Sequence, residues 1–473
     1  MAQLSALDAQ FLNFETATNV ANIAGLAVLD GPLLRRDLQD LLTQRLPHVA
    51  AMRRKLVPVP FGLDHPYWVH EDDLDLDYHV REIGLPPPGD DRQLAEQVSR
   101  LHARRLDRNR PLWEIYLIHG LAGGRTGLYT KIHHAAVDGV GGADVLAVLL
   151  DLTPVPAPPP EVEPEPDEPA PSPLEMVGRA LTRLAANPAQ AVKFAARAVP
   201  HLDEIPVVSK VPGVELVSGL ARTLAGTGDA PALPALPAPR TPFSGPISAH
   251  RRVAFVSLPL EEIKEVRKAF GVTVNDVVMA VCAGGLRAWL AAHGGVPDRP
   301  LVAGVPFSLH ERGPGNQVTI MTAPLAVHVE DPVARLEQVQ AAMGRIKERF
   351  SLSPARWLRE FSESMPAALM GLAARSAFQL VGHTAPPINV TISNVPGPQF
   401  PLYVCGARLL TFYPVSVITD VSGGVNITCF SYDGALNIGV VTDRDMIPDA
   451  WEITDSLRDA LAELRNEVFR KRP

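Results

Sequence analysis

Cysteine is scarce in this sequence, and its spacing excludes the common metal-binding patterns. The 473 residues contain three cysteines, Cys282, Cys405 and Cys429, and no two of them form a CxxC or similar ligand pair. Each lies in an apolar or glycine-rich stretch, where a free cysteine behaves as a small hydrophobic residue. We therefore predict three buried free thiols, which fits a reducing compartment.

The chain also lacks an excess of positive charge and any long apolar run. Lysine and arginine total 44 against 52 aspartates and glutamates, and no basic block is interleaved with aromatic residues, so no nucleic-acid partner is expected. No uninterrupted apolar run reaches the roughly 20 residues of a transmembrane helix. The N-terminus does not have the basic segment followed by an apolar one that marks a secretory signal. We expect a cytoplasmic protein that is soluble or bound only to a membrane surface.

Two proline-rich breaks divide the chain. Between residues 154 and 173 proline alternates with glutamate and alanine, which predicts a stiff, solvated linker, and residues 226–246 form a second such break. Between them, residues 174–202 carry apolar side chains three and four residues apart with basic residues among them, as in an amphipathic helix. Such a helix either packs across the two domains or lies on an anionic membrane surface.

Strand-like and helical segments alternate on both sides of this region, which predicts an α/β protein with two domains of similar weight. The predicted division is an N-terminal half at 1–151, linkers with the basic helix at 152–245, and a C-terminal half at 246–473. Strands are predicted at 23–29, 127–132, 252–258, 302–306, 322–329, 388–393, 424–432 and 436–442. Helices are predicted at 92–106, 260–270, 274–292, 332–349 and 451–469.

The segment LYTKIHHAAVDGVGG at 128–142 stands out chemically. A short strand leads into His133 and His134, and Asp138, a glycine turn and an apolar helix at 143–150 follow. Strand side chains alternate between faces, so only one of the two histidines can face a given cavity. A neutral imidazole accepts a proton from a hydroxyl near pH 7, and a carboxylate such as Asp138 can fix either the tautomer or the loop. The alternative is that both histidines are structural and Asp138 caps the helix.

Other chemistries have less support in the sequence. It contains no GxSxG nucleophile elbow, no phosphate-binding loop, no GxGxxG motif after a strand and no HExxH motif. Adjacent strand residues diverge, and the histidines have no helical partner four residues away, so no metal site is expected.

The sequence resembles a known family at four motifs. HHAAVDG at 133–139 resembles the HHxxxDG motif of the CoA-dependent acyltransferases, which include chloramphenicol acetyltransferase and peptide-synthetase condensation domains. Residues 111–113 (PLW), 275–276 (ND) and 393–398 (SNVPGP) resemble further elements of the bacterial wax ester synthase/diacylglycerol acyltransferase family. The resemblance runs nearly from end to end of the chain.

The resemblance implies a fold and a set of site residues. Two chloramphenicol-acetyltransferase-like halves are expected to face each other across a tunnel, with His134 as the base and His133 and Asp138 supporting it. Motif support is assigned to Gly139, Pro111, Leu112, Trp113, Asn275 and Asp276. Candidate oxyanion or substrate contacts are Thr391, Ser393, Asn394 and Gly397. A structural reading is favoured for three of these motifs, with Trp113 a core aromatic, Asn275–Asp276 a helix N-cap and 394–398 a turn.

The implied reaction is transfer of a long-chain acyl group from acyl-CoA to the hydroxyl of diacylglycerol, of a long-chain alcohol, or of both. Acyl-CoA is then a substrate, and no cofactor is required. The enzyme would be cytoplasmic and peripheral at the inner membrane face or at lipid droplets. Two alternatives stay open: an acyltransferase with another alcohol or an amine as acceptor, and a non-catalytic lipid-surface protein that keeps the fold.

Overall fold

The computed structural model describes residues 3–136, 148–156, 171–186, 238–308, 318–350 and 387–471. Within these residues two six-stranded sheets form the framework, and a two-stranded sheet adds to the first half. The first large sheet is built mainly from residues before the linkers and the second entirely from residues after them.

The first half contains a sheet with helices around it. The strands of this half of the chain are β1 (Asn22–Leu29), β2 (Arg54–Val57), β3 (Tyr67–His70), β4 (Val80–Gly84), β5 (Trp113–His119) and β6 (Thr126–His133), of which β2 and β3 form the two-stranded sheet. Its helices are α1 (Ala6–Asn13), α2 (Arg35–Arg45), α3 (Leu76–His79) and α4 (Asp91–His102), followed after the first linker by α5 (Pro173–Ala186). Strand β1 pairs with β6 antiparallel, and β6 pairs with β5.

The second half contains a mixed sheet covered by helices. The strands of this half of the chain are β7 (Arg251–Pro259), β8 (Leu301–Ser308), β9 (Val318–Leu325), β10 (Val390–Val395), β11 (Tyr403–Val404), β12 (Ala407–Val415), β13 (Val425–Tyr432) and β14 (Ala435–Asp443). Its helices are α6 (Leu260–Phe270), α7 (Val274–Ala292), α8 (Pro332–Phe350) and α9 (Trp451–Lys471). Helix α7 is long and apolar enough to span a membrane, but 72% of its apolar window is buried within the core.

Strands β11 and β12 belong by chain order to the predicted C-terminal half, yet they complete the first sheet. Strand β12 pairs antiparallel with β1, with Ala24 opposite Val415. The two large sheets meet closely at this strand, because a Cβ atom on Gly439 of β14 would lie 1.8 Å from the carbonyl oxygen of Pro414. Only glycine permits this contact between the two sheets.

Most predicted elements are confirmed, with differences at their ends. Helix 92–106 ends at His102, and the Lys131 ammonium group donates hydrogen bonds to the carbonyl oxygens of Leu101 and Arg104 at this end. The strand predicted at 322–329 occupies Val318–Leu325, and the chain turns after it. Of the predicted helix at 174–202, Pro173–Ala186 is helical and the remainder lies outside the described residues, as do 157–170 of the first linker.

Candidate active site

The two histidines lie where strand β6 ends. His133 is its last residue, and His134 begins a 3₁₀ turn through Ala136. The His133 amide donates to the Leu112 carbonyl at 2.9 Å, and the His134 amide donates to the Ala21 carbonyl at 2.8 Å. The backbone of the pair is therefore held from both sides. Leu112 of the PLW motif contributes directly to this support.

His133 faces the protein interior. Its side chain is 1% exposed, and its Nδ1 accepts a hydrogen bond of 3.1 Å from the Ala135 amide, which assigns the proton to Nε2. That nitrogen lies 3.6 Å from Oε1 of Glu15, whose carboxylate accepts a hydrogen bond of 2.7 Å from Arg108. His133 thereby shapes the turn that carries its neighbour.

Glu15 is a site residue that the sequence analysis missed. Burial raises its pKa, but the hydrogen bonds and charges of His133 and Arg108 outweigh burial, so the pKa is lowered overall. Glu15 is therefore ionised at neutral pH and orients the His133 imidazole. It lies two residues beyond the end of α1, and nothing in the local sequence distinguishes it from other acidic residues.

His134 has a different environment. Its ring stacks on Phe11, with centroids 3.8 Å apart and planes 11° from parallel. Burial lowers the pKa of His134 to about 4, a hydrogen bond to its own backbone raises it, and the charge of His133 lowers it further. The imidazole is neutral at pH 7, as a base must be.

A buried charge network lies on the His133 face of β6. Lys131 is fully buried, and its ammonium group lies 3.0 Å from Oε2 of Glu114, which also accepts a hydrogen bond of 2.9 Å from Tyr116. Burial lowers the pKa of Lys131, while Glu114 raises it in part. The sequence predicted strand β6. It did not predict the ion pair between Lys131 and Glu114, because that pair forms only when the two strands meet in the fold. This network fixes β6 two residues before the histidine pair.

Trp113 of the PLW motif is a core aromatic, as the structural reading predicted. It is 2% exposed, its indole N–H donates to the Met52 carbonyl at 2.7 Å, and its ring stacks on His79 at 4.3 Å. Pro111 precedes this strand, and its carbonyl oxygen accepts a hydrogen bond of 2.8 Å from the Trp113 amide. The motif therefore anchors the strand next to the histidines.

The ND motif lies in the second half, at the start of α7. The predicted N-cap role of Asn275–Asp276 is wrong in detail, because Thr273 is the N-cap and Asp276 is its reciprocal partner in a capping box. The Asp276 carboxylate accepts hydrogen bonds from the Thr273 amide at 2.9 Å and hydroxyl at 2.7 Å. Asn275 accepts a hydrogen bond of 3.3 Å from Asn394, so the ND and SNVPGP motifs meet.

The candidate oxyanion residues lie in and after strand β10. Thr391 pairs with Asn426 and Ser393 with Thr428, so these polar side chains share the sheet face opposite the apolar helices. Gly397 donates its amide to Ser431 at 3.0 Å, and a Cβ atom there would lie 2.3 Å from the Ser431 carbonyl. These residues belong to the second sheet and the histidines to the first, so their part in the reaction stays a prediction.

Asp138 and Gly139 lie outside the described residues, and so does most of the predicted helix at 143–150. Among the residues that the structure describes, no three histidine, cysteine, aspartate or glutamate side chains lie close enough to hold a metal ion.

The prediction of three buried thiols holds for Cys282 and Cys429 and is wrong for Cys405. Cys405 is partly exposed, in a turn with a φ of 47°. Burial and the nearby Asp37 raise its pKa to about 11, so it is an unreactive thiol.

Comparison with known proteins gives matches over nearly the whole chain. A family model described as the wax ester synthase/diacylglycerol acyltransferase catalytic domain matches residues 4–278, and a model described as the WS/DGAT C-terminal domain matches 314–465. A Mycobacterium tuberculosis protein named "Probable diacyglycerol O-acyltransferase tgs2" is 34% identical over 98% of both chains. A second protein from that organism, named in the same enzyme class, is 35% identical over 98% of this chain and 90% of its own length.

Solved structures agree with these matches. The wax ester synthase/diacylglycerol acyltransferase of Marinobacter aquaeolei VT8 superposes with a TM-score of 0.68 at 28% identity, over 99% of this chain and 100% of its own. The starter condensation domain of rhizomide synthetase, solved with C8-CoA and Leu-SNAC, has a TM-score of 0.54 at 15% identity, over 99% of this chain and 94% of its own. That second likeness concerns the fold alone. The predicted α/β fold of condensation-domain type is confirmed, and the tunnel stays a prediction.

Proposed function

Because the chain belongs to the wax ester synthase/diacylglycerol acyltransferase family and is an acyltransferase, we propose that it transfers a long-chain acyl group from acyl-CoA to the hydroxyl of diacylglycerol, of a long-chain alcohol, or of both. The observation that carries this proposal is the state of His134. Its imidazole is neutral at pH 7, its plane is fixed by Phe11, and its backbone is held by Ala21. A neutral, oriented imidazole suits proton removal from an alcohol.

The proposed reaction proceeds by direct attack. The acceptor hydroxyl donates its proton to the His134 imidazole as its oxygen bonds to the thioester carbonyl carbon. The tetrahedral intermediate then expels the CoA thiolate, which takes the proton from the imidazolium. An imidazolium with a pKa of about 4 is a strong acid beside a thiol with a pKa of about 8.5, so the return of the proton is favourable.

The proposal needs neither a metal nor a cofactor. The acyl group moves from the CoA sulfur to the acceptor oxygen, a proton moves from that oxygen to the sulfur, and no oxidation or reduction occurs. The base accelerates the reaction roughly 10²- to 10⁴-fold. Donors for the oxyanion are still required, and Thr391, Ser393 and Asn394 remain our candidates.

A direct assay tests the proposal. Palmitoyl-CoA is incubated with a panel that contains diacylglycerol, hexadecanol, a secondary alcohol and a primary amine, and both free CoA and the acylated product are measured. We expect ester from diacylglycerol or hexadecanol and none from the His134→Ala variant. Product from the amine alone would favour the alternative acceptor class, and a folded protein with no turnover on any acceptor would favour the non-catalytic alternative.

We also propose that α5 and the turn beside it contact a lipid surface at the inner face of the membrane. Helix α5 packs Met176 and Ala180 against the first half but leaves Leu174 83% and Leu181 54% exposed. Phe61, in the 3₁₀ turn against which α5 packs, is 92% exposed. Co-sedimentation with phosphatidylcholine/phosphatidylglycerol vesicles should fall in Phe61→Ala and in Leu174→Ala. The matched control is Phe469→Ala, which removes a half-exposed phenylalanine from α9.

A further inference from the structure

From the stack between Phe11 and His134 we infer that Phe11 is a positioning residue for the base. This inference rests on the proposed function of His134. Phe11 lies in α1, and this helix packs against the 3₁₀ turn that begins at His134. The ring centroids are 3.8 Å apart and the planes differ by 11°, so the phenyl ring covers one whole face of the imidazole.

Helix α1 is itself fixed in place, so Phe11 is a rigid support. The Ser5 hydroxyl caps the helix by accepting the Asp8 amide at 3.0 Å. The Leu4 amide donates to the Pro66 carbonyl at 2.8 Å. The ring of Phe14 meets that of Phe11 edge-on, with centroids 5.4 Å apart.

The apolar face of α1 completes this support. Leu4, Ala9 and Leu12 are buried in one cluster with Leu112 and Ala135, next to the histidines. The helix can neither slide nor rotate without disrupting that cluster. Glu15, which follows the same helix, faces His133. One N-terminal segment thus supplies a partner to each histidine.

A face-on stack has a defined effect on a base. It covers a face of the imidazole and not the ring edge that carries the nitrogens. It prevents rotation of the ring about its bond to Cβ, and it excludes water from the covered face. A general base acts efficiently only when its nitrogen is held within hydrogen-bond reach of the proton that it takes. The stack therefore orients the His134 imidazole and keeps water from its covered face, and Phe11 takes part in no chemical step.

Four variants separate these effects. Phe11→Tyr keeps an aromatic ring over His134, whereas Phe11→Leu and Phe11→Met keep apolar volume without a flat ring. Gln10→Ala is the matched control, because it changes the neighbouring position of the same helix, where, among the described residues, the Gln10 side chain bonds only the Ala6 carbonyl, and leaves the stacked ring in place. For each variant we would measure kcat, the KM for palmitoyl-CoA, the melting temperature and the pH dependence of kcat/KM. The pKa of His134 would also be followed by NMR, with its signal assigned from His134→Asn.

We expect kcat to fall at least tenfold in Phe11→Leu and Phe11→Met, with little change in KM, and to stay within about threefold of wild type in Phe11→Tyr and Gln10→Ala. Water reaching the uncovered face should also raise the pKa of His134 from about 4 towards its ordinary value, and the acidic limb of the rate profile should move with it.

Equal activity and an unchanged His134 pKa in Phe11→Leu would overturn the inference, and so would equal loss in Phe11→Tyr and Phe11→Leu. The NMR titration does not depend on turnover. If the wild-type protein is inactive on every acceptor, the proposed function fails, while the titration still shows whether Phe11 controls the His134 ring.

Discussion

Replacing Glu15 by glutamine removes one charge from the buried group that supports His133. The Glu15 carboxylate is 1% exposed and lies between His133 Nε2 at 3.6 Å and Arg108 Nη2 at 2.7 Å. Glutamine has nearly the same size and keeps an oxygen for Arg108, so the change tests the charge rather than the packing.

The structure sets the expected loss of unfolding free energy in Glu15→Gln. Breaking a buried pair by removing one partner costs about 3 to 5 kcal/mol. Arg108 is 43% exposed, so water can solvate it once Glu15 is neutral, and we expect the lower end of that range, about 3 kcal/mol. At about 2 to 4 °C per kcal/mol for domains of this size, the melting temperature should fall by about 6 to 12 °C. Turnover should fall as well, because His133 shapes the turn that carries His134.

Urea unfolding from pH 7 down to pH 4 is the assay. The pKa of Glu15 is lower in the folded protein than its ordinary value of 4.5. Its stabilisation is therefore complete above that value and is lost as the pH falls through the folded pKa. The difference in unfolding free energy between wild type and Glu15→Gln should therefore stay constant from pH 7 to about 4.5 and narrow only below that value.

The matched control is Glu82→Gln. It breaks a pair of the same chemistry on the surface, where Glu82 lies 3.0 Å from His119 and both side chains are more than a third exposed. An exposed pair contributes about 0 to 1 kcal/mol, so this variant should be nearly as stable as wild type. Equal stability of Glu15→Gln and Glu82→Gln at pH 7 would refute the role assigned to Glu15.

Four further predictions concern the base, its pH dependence, the junction of the sheets and the order of binding. His134→Ala should lower kcat by roughly 10² to 10⁴ with the fold intact by circular dichroism, whereas His133→Ala should lose less activity and more stability in urea. The acidic limb of the kcat/KM profile should lie near pH 4 rather than 6.5, because only the neutral His134 imidazole accepts a proton and the rate is lost as the pH drops through its pKa. The profile is measured over the pH range in which the protein stays folded. Gly439→Ala should cost about 1 to 3 kcal/mol in urea unfolding, since its Cβ meets the Pro414 carbonyl, while Gly84→Ala, with open space around it, should cost less. Initial-rate plots at fixed acceptor concentrations should intersect, because direct attack requires both substrates to be bound together, and parallel lines would indicate an acyl-enzyme.

Local patterns in the sequence predicted the elements that local interactions determine. Helices α6 and α7 begin and end where the sequence predicts. The left-handed Gly271 ends the first, and the Thr273 capping box begins the second. Alternation along a strand that continued through both histidines predicted different environments for them; the environments do differ, although β6 ends at His133 and His134 lies in the 3₁₀ turn that follows. Each of these features depends on residues within one turn or one strand.

Features that depend on distant pairing were not predictable in the same way. Strand β12 joins β1 across nearly the whole chain, and no spacing rule connects Val415 with Ala24. Lys131 is a buried cation only because Glu114 of the neighbouring strand faces it. In the sequence, Glu15 is one acidic residue after a helix. Its role appears only when the fold brings His133 to it.

The segment between α1 and β1 explains why a pair of histidines from the first half depends on the second half. It begins at Glu15, which supports His133, and ends at Ala21, whose carbonyl oxygen holds the His134 amide. Between them, Asn19 donates to the Asp420 carboxylate at 2.7 Å and accepts the Asp420 amide at 3.0 Å.

Arg251 of β7 holds the same segment at a second point, through the carbonyl oxygen of Thr18. Asp420 and Arg251 of the second half therefore fix at two points the segment that supports both histidines from the β1 side. A displacement of Asp420 or Arg251 moves Glu15 and Ala21 together, and with them the orientation of the base. The halves must stay associated for the site to keep its shape, even though the second half supplies neither histidine.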